Sequence, residues 1–303
     1  MHKKYTDLID EIIKSFGETS KEIINSHFKQ YSNGIGIEKY NIETDEQVKK
    51  YGRDKGTYTL LSVPDILYVS DRVISSITSH LTRVIKLYLG KLEKRDKVLV
   101  VGLGNRHISS DSLGTQVVSK IKVTLEKSNH CRLMAICPSV MGLTGIESYD
   151  IVSGVVSKIK PTHIIIIDCL CAGAVERLGK SIQLSDTGIC PGSGIGNNRK
   201  CIDKGLAKNI LSIGVPLLIY ANTFLDSACE NAGITFGGIT GIMQKYKNNV
   251  NFKDIYIFAE YVKKLYNVDF ENLIVSPKDV GEYVDIMSDL IATSINSVVL
   301  SSE

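Results

Sequence analysis

Apolar positions along this chain follow two periods, and the change from one to the other divides it into three stretches. Residues 1–65 are polar overall, with a helix predicted over 20–30 and a strand near 57–63, where TYTLLSV is rich in β-branched and aromatic side chains. Through 65–92, Ile66, Val69, Val73, Ile74, Ile77, Leu81, Val84 and Leu87 recur at helical spacing and predict one long amphipathic helix. A charged break, Glu93-Lys94-Arg95-Asp96-Lys97, precedes a change of pattern. From 97 to about 220, short continuous apolar runs (98–103, 133–136, 164–167) alternate with helical patterns near 110–121 and over 149–159. Such runs are what strands buried on both faces of a parallel sheet require. Gln183-Leu184 and 217–220 supply further strands, and the last eighty residues read as helical, most clearly at 255–265 and 277–300. Pro277, followed by Lys278-Asp279-Val280, suits the first position of a helix with an acid in its first turn. The expected fold class is α/β: a mostly parallel central sheet flanked by helices, with N-terminal and C-terminal helical additions. The chain reads as a single domain, with its α/β core at about 97–220 and a helical part at about 221–303.

Composition narrows the function classes. The 303 residues are 43% apolar and 23% charged, and 36 basic against 33 acidic residues leave a net charge of +3. That balance advertises neither nucleic acid nor an anionic membrane as partner. The longest apolar runs, such as 162–168 and 215–220, fall well short of the ~20 residues that span a bilayer. The start, MHKKYTDLIDEIIK, lacks the apolar segment of an export signal, so a cytoplasmic location is expected. Seven cysteines without a CxxC pair point to reduced, mostly buried thiols rather than a disulfide framework. Cys169-x-Cys171 is too tight for a usual zinc knuckle, and no metal or cofactor is expected.

In open α/β sheets, ligands sit at the carboxyl ends of strands. Two segments carry functional groups there: VVGLGNRHISSDSLG (100–114) and IIIIDCLCAGAVER (164–177). Asp111 falls where a helix begins, so its carboxylate would meet free backbone N–H groups, whether as an N-cap or as a reactive group. Asp168 closes a run of four isoleucines, whose apolar surroundings favour its protonated form; the plainer alternative is a turn residue. On neighbouring strands the two carboxyls would converge with unequal pKa values, the arrangement that divides a water-activating base from a general acid. GLGN lacks the third glycine of a dinucleotide loop. The loop at 191–200, with Gly192, Gly194 and Gly196 ahead of Arg199 and Lys200, offers an anion cradle without the GK[ST] ending of a P-loop. His107 is close enough to Asp111 in sequence to assist, or it is a solvated loop residue.

These motifs resemble the germination protease family, the spore endopeptidases that degrade small acid-soluble spore proteins. The likeness rests on Val101-Gly102-Leu103-Gly104-Asn105 with Asp111-Ser112-Leu113-Gly114, and on the block from Pro138 through Gly145 to Glu147. It continues through Ala174-Val175-Glu176-Arg177, Gln183-Leu184-Ser185-Asp186-Thr187-Gly188, the loop from Pro191 to Asn197, Ile213-Gly214-Val215-Pro216 and Val275-Ser276-Pro277-Lys278-Asp279.

The resemblance implies an atypical aspartic peptidase whose two essential aspartates are Asp111 and Asp168. It implies a core like that of hydrogenase-maturation endopeptidases, without their metal, and a homotetramer located in the spore core. It also implies a zymogen that removes its own short propeptide, and substrates cut after the acid of Thr-Glu-like sequences. Thr6-Asp7-Leu8-Ile9 resembles that motif, so self-cleavage is expected between Asp7 and Leu8, leaving a propeptide of residues 1–7 and a peptidase domain of 8–303. Gly192, Gly194 and Gly196 would supply oxyanion N–H groups, and Arg199 or Lys200 would contact the acidic substrate residue. Two departures stand out: Cys169-Leu170-Cys171-Ala172-Gly173 replaces a segment that usually carries alanines and an arginine, and Arg106-His107 replaces an aromatic/polar pair. The competing readings are a metal-binding maturation peptidase using Asp111, Asp168 and His107, and a catalytically silent paralogue that only binds spore proteins.

Overall fold

The computed structural model describes residues 5–17, 27–124, 131–190, 200–221, 223–224 and 273–301. The expected α/β architecture is present. Its centre is four parallel strands: β4 (Lys97–Gly102), β5 (Arg132–Ile136), β6 (His163–Cys171) and β8 (Asn209–Tyr220). The first three strands, β1 (His27–Gln30), β2 (Gly36–Ile42) and β3 (Gly56–Ser62), extend the same sheet as an antiparallel meander, joined to the centre through β7 (Ser181–Ser185). The strand order is β1-β2-β3-β7-β8-β6-β4-β5, with the short β9 (Ile274–Val275) antiparallel to β8. The sheet therefore reaches well beyond 97–220, and the N-terminal addition contributes strands as well as helices.

Alternation along the central strands assigns the two faces. Val98, Val100, Ile165, Ile167, Leu211 and Ile213 pack in one cluster, and Leu99, Val101, Ile164, Ile166 and Ile210 in another, all essentially inaccessible. The first face is covered by α3 (Asp71–Leu89), α4 (Leu113–Ser119) and α7 (Val280–Leu300), and the second by α6 (Ser148–Ile159), which follows the short α5 (Met141–Thr144), through Val152 and Val156. Both faces are buried, which is why these strands read as unbroken apolar runs. In α3, Ile77, Leu81, Val84, Ile85 and Leu89 form the buried stripe that the spacing predicts. By length and composition α7 is apolar enough to cross a membrane, yet Met287, Leu290, Ile291 and Ile295 are spent on the core beneath α3.

The differences from the sequence reading have local causes. The long helix predicted from 65 is interrupted: Asp65 accepts from the Leu67 N–H and holds a 3-10 turn over Ile66–Tyr68, and Val69 and Ser70 are extended before α3 begins. Of the helix predicted over 20–30, residues 27–30 are strand β1, paired along β2; the remainder lies outside the described residues, as does 255–265. Pro277 stands ahead of α7 rather than at its first position; Asp279 occupies the N-cap position and Glu282 the first turn. The strand predicted at 164–167 continues to Cys171, because β8 keeps pairing with it through Asp168, Cys169 and Leu170 to a register shift before Cys171.

Two further short helices sit at the N-terminal end. One is α1 (Ile9–Ser15), whose Leu8, Ile9, Ile12 and Ile13 bury against Tyr40, Tyr58, Leu60 and Leu170. The other is α2 (Asp45–Tyr51), opened by a capping box between Thr44 and Gln47 and closed by left-handed Gly52.

Candidate active site

Strands β4 and β6 are parallel neighbours, and their register sets Gly102 opposite Ile167, with the Leu103 N–H donating to the Ile167 carbonyl at 2.9 Å. The residue after Ile167 is Asp168. The chain leaving β4 turns at Gly104, whose φ of +97° belongs to the left-handed region that favours glycine. A 3-10 turn over Ser109–Asp111 then leads into α4. The turn brings Asp111 back onto the strand end: the Asn105 N–H donates to the Asp111 carbonyl at 3.0 Å and to its Oδ2 at 2.9 Å. Asp111 is thus tied to the loop before it, and Ser112 occupies the N-cap position of α4. The close approach of α4 to β4 and β6 requires Gly114, where an added Cβ would lie 2.3 Å from the Leu103 carbonyl oxygen and 2.7 Å from that of Ile167.

Asp168 senses the charge of Asp111. Burial, then the charge of Asp111, then that of Asp7 hold the Asp168 carboxyl well above the ordinary range, against one bond from the Cys169 N–H to its Oδ1 at 2.9 Å. Asp111 is raised by burial and partly restored by the Asn105 N–H. The proton therefore resides preferentially on Asp168 and the charge on Asp111. The neighbouring thiols of Cys169 and Cys171 are pushed up, by burial first and then by adjacent carboxylates, so both stay protonated.

A third acid reaches this end of β6 from the N-terminal segment. The Asp7 N–H donates to the Cys171 carbonyl and the Cys171 N–H donates to Asp7 Oδ2, both at 2.9 Å. The Arg53 guanidinium donates to Asp7 Oδ1 at 3.3 Å and to the Thr6 carbonyl at 2.8 Å. Gln183 on β7 brackets the next peptide: its Nε2 donates to the Asp7 carbonyl at 3.0 Å, and its Oε1 accepts from the Ile9 N–H at 2.8 Å. Glu11 accepts from the Gly173 N–H at 2.7 Å and bonds the Thr6 hydroxyl, and Asp10 pairs with Arg177. Leu8 is fully buried.

Asp111, Asp168, Asp7 and Leu8 of the predicted site are thus gathered at one strand end. Gly192, Gly194, Gly196 and Arg199 lie outside the described residues. Lys200 is exposed, paired with Asp150 at 3.5 Å. His107 is exposed, with its backbone N–H bonded to Asn105 Oδ1. Among the described residues no cluster of three His, Cys, Asp or Glu suits a metal ion. A cavity of about 650 Å³ lies elsewhere, against Arg83, Tyr88, Asp186 and the start of β8, and holds neither aspartate. The expectation of reduced cysteines needs one correction: Cys190 and Cys201 are disulfide-bonded. The antiparallel bridge between Ile189 and Ile202 places them side by side, a pairing that a sequence separation of 11 does not announce. Arg53 and Gln183 escaped the sequence reading as site residues. Gln183 stood in a family-like block without a role, and Arg53 carried no signal, since only the fold brings it to Asp7.

Comparison with known proteins adds to this geometry. The family model described as germination protease matches residues 6–247. A germination protease of Clostridium tetani is 31% identical over 306 residues, covering 96% of this chain and 94% of that protein. One from Caldanaerobacter subterraneus is 33% identical, covering 87% and 84%, and one from Bacillus subtilis is 29% identical, covering 87% and 83%. Among solved structures, the [NiFe] hydrogenase maturation protease HycI from Thermococcus kodakarensis overlaps 70% of this chain and 98% of its own, with 12% identity and a TM-score of 0.36.

Proposed function

The chain belongs to the germination protease family, and we propose from this premise that it is an aspartic endopeptidase that begins the breakdown of small acid-soluble spore proteins in the spore core. As a family member it is a peptidase of spore germination; the catalytic type, the substrate, the zymogen form and a homotetrameric assembly are parts of the proposal. The observation that carries the catalytic assignment is the pair of carboxyls that the neighbouring strands β4 and β6 bring together, Asp168 within β6 and Asp111 on the turn that follows β4, both raised and Asp168 the more strongly.

In this mechanism the ionised Asp111 accepts a proton from a water held between the two carboxyls, and the water oxygen attacks the scissile carbonyl carbon. Protonated Asp168 donates to the carbonyl oxygen as charge develops there. Collapse of the tetrahedral intermediate breaks the C–N bond, the leaving nitrogen takes the proton held by Asp111, and Asp168 recovers its own. Two like groups do opposite work because their environments separate their affinities for the proton. The same site is proposed to cut the bond between Asp7 and Leu8, releasing residues 1–7. The seating of Thr6, Asp7 and Leu8 against β6 and β7 supports that reading.

The test is full-length protein held at mildly acidic pH with a small acid-soluble spore protein, its products read by intact mass. Cuts following acidic residues, and loss of residues 1–7, are expected, with both abolished in Asp111→Asn and Asp168→Asn. Wild-type rates in either variant would remove that residue from the mechanism.

A further inference from the structure

We infer that Arg53, the Cys171 N–H and Gln183 form the recognition subsite for the acidic residue on the carbonyl side of the cleaved bond, with this chain's own Asp7 as its first occupant. The inference rests on the cleavage reading above and adds to it the residues that choose where the cut falls.

Each group around Asp7 addresses a different feature of a peptide. The Asp7 backbone N–H pairs with the Cys171 carbonyl, which any residue satisfies. Its carboxylate is the selective element: Oδ2 takes the Cys171 N–H and Oδ1 the Arg53 guanidinium. An asparagine would present one N–H₂ group to these donors, and an apolar residue would leave the Cys171 N–H without its acceptor and the Arg53 guanidinium without a carboxylate, so the pocket discriminates by charge and by acceptor count. Arg53 also donates to the Thr6 carbonyl and so holds the preceding residue in register. Gln183 grips the peptide that follows, its Nε2 on the Asp7 carbonyl and its Oε1 on the Ile9 N–H. That carbonyl belongs to the bond proposed for cleavage. A donor 3.0 Å from its oxygen orients it and stabilises the negative charge that develops there as the carbonyl carbon is attacked.

The fold explains why these groups meet. Gln183 lies on β7 and Cys171 at the end of β6, strands that both flank β8, and Arg53 follows Gly52 at the end of α2. None of the three belongs to the pair that activates water. Their arrangement is a cradle for a backbone with one acidic side chain, and it is filled by a segment that meets it with a carboxylate. Release of residues 1–7 would open the same cradle to the acidic residue of another chain.

The experiment follows loss of residues 1–7 from the full-length protein by intact mass. Variants are Arg53→Met, Arg53→Lys, Gln183→Leu, Asp7→Lys, and the exchange pair Arg53→Glu with Asp7→Lys; melting temperatures confirm folding. A charge-assisted bond at a partly exposed pair predicts about a tenfold slower cut in Arg53→Met. Partial recovery is expected in Arg53→Lys, and a faster cut in the exchanged pair than in Asp7→Lys alone. Unchanged rates in Arg53→Met, or an exchanged pair no better than Asp7→Lys, would overturn the assignment. If Arg53→Met does not fold, Asp7→Asn applies the same test from the other partner. If the wild type itself sheds nothing, self-processing fails, and hydrogen exchange over residues 5–9 judges the subsite separately. Faster exchange in Arg53→Met would then support the cradle, and equal exchange would overturn it.

Discussion

Gly114→Ala tests whether the approach of α4 to the sheet sets the distance between the two aspartates. The new methyl carbon would stand 2.3 Å from the Leu103 carbonyl oxygen, 2.5 Å from the Leu103 nitrogen and 2.7 Å from the Ile167 oxygen. All three are backbone atoms, of β6 or of the residue just after β4, and cannot swing aside as a flexible side chain does. A comfortable carbon–oxygen contact is about 3.3 Å, so α4 or the strand ends must retreat by roughly 1 Å. Overpacking of this kind costs about 1–3 kcal/mol of stability. The larger effect falls on activity, because α4 carries the turn with Asp111 while the Ile167 carbonyl immediately precedes Asp168. A displacement of about 1 Å between reacting groups lowers a rate by as much as ~100-fold. Denaturant unfolding and the cleavage assay at one pH measure the two effects on one preparation. A folded Gly114→Ala protein with wild-type cleavage would refute the argument that close packing at this glycine positions the pair.

Other predictions concern charge, packing and redox state. The folded-state pKa of Asp168 is raised, so this group costs the native state stability that grows as pH rises from the ordinary carboxyl value of 3.8 to the folded value, levels off above it, and vanishes below 3.8. Asp168→Asn should therefore gain stability over wild type at neutral pH, with the gain shrinking as pH falls; a gain that grows on acidification would reverse the sign of the argument. The cleavage rate should fall at high pH as the shared proton is lost, with that limb displaced above the ordinary carboxylate range, and a chelator should leave the rate unchanged. Ile291→Ala, at a fully buried position of α7, should cost about 2–5 kcal/mol in denaturant unfolding, and a cost below 1 kcal/mol would mean α7 is not integral to this core. Non-reducing peptide mapping should recover Cys190 and Cys201 linked, whereas Cys131, Cys137, Cys169 and Cys171 should alkylate as thiols after unfolding.

Much of the site was legible because its determinants are local. Four isoleucines ahead of Asp168 describe a strand buried on both faces, and a glycine turn followed by an acid describes a strand-to-helix corner; neither needs knowledge of the rest of the chain. Convergence of the two acids was legible only as a condition on the two strands being neighbours, which the pairing of β4 with β6 supplies. Boundaries fared worse where a neighbour decided them. Asp168 lies within β6 rather than at its end because β8 continues the ladder past it, and residues 27–30 are strand because β2 supplies the hydrogen bonds. Local periodicity carries no information about a partner's length.

The apolar pattern and the residues at the ends of its strands determined, without coordinates, the α/β class and the choice of Asp111 and Asp168. Tertiary structure alone decided what surrounds them. Arg53, Cys171, Gln183 and Asp7 come from four separated stretches, and their roles arise from distances of about 3 Å that no spacing along the chain encodes. The inequality of the two acids is likewise a property of the fold, since burial and a neighbouring charge set a pKa, and both are fixed by how distant segments pack.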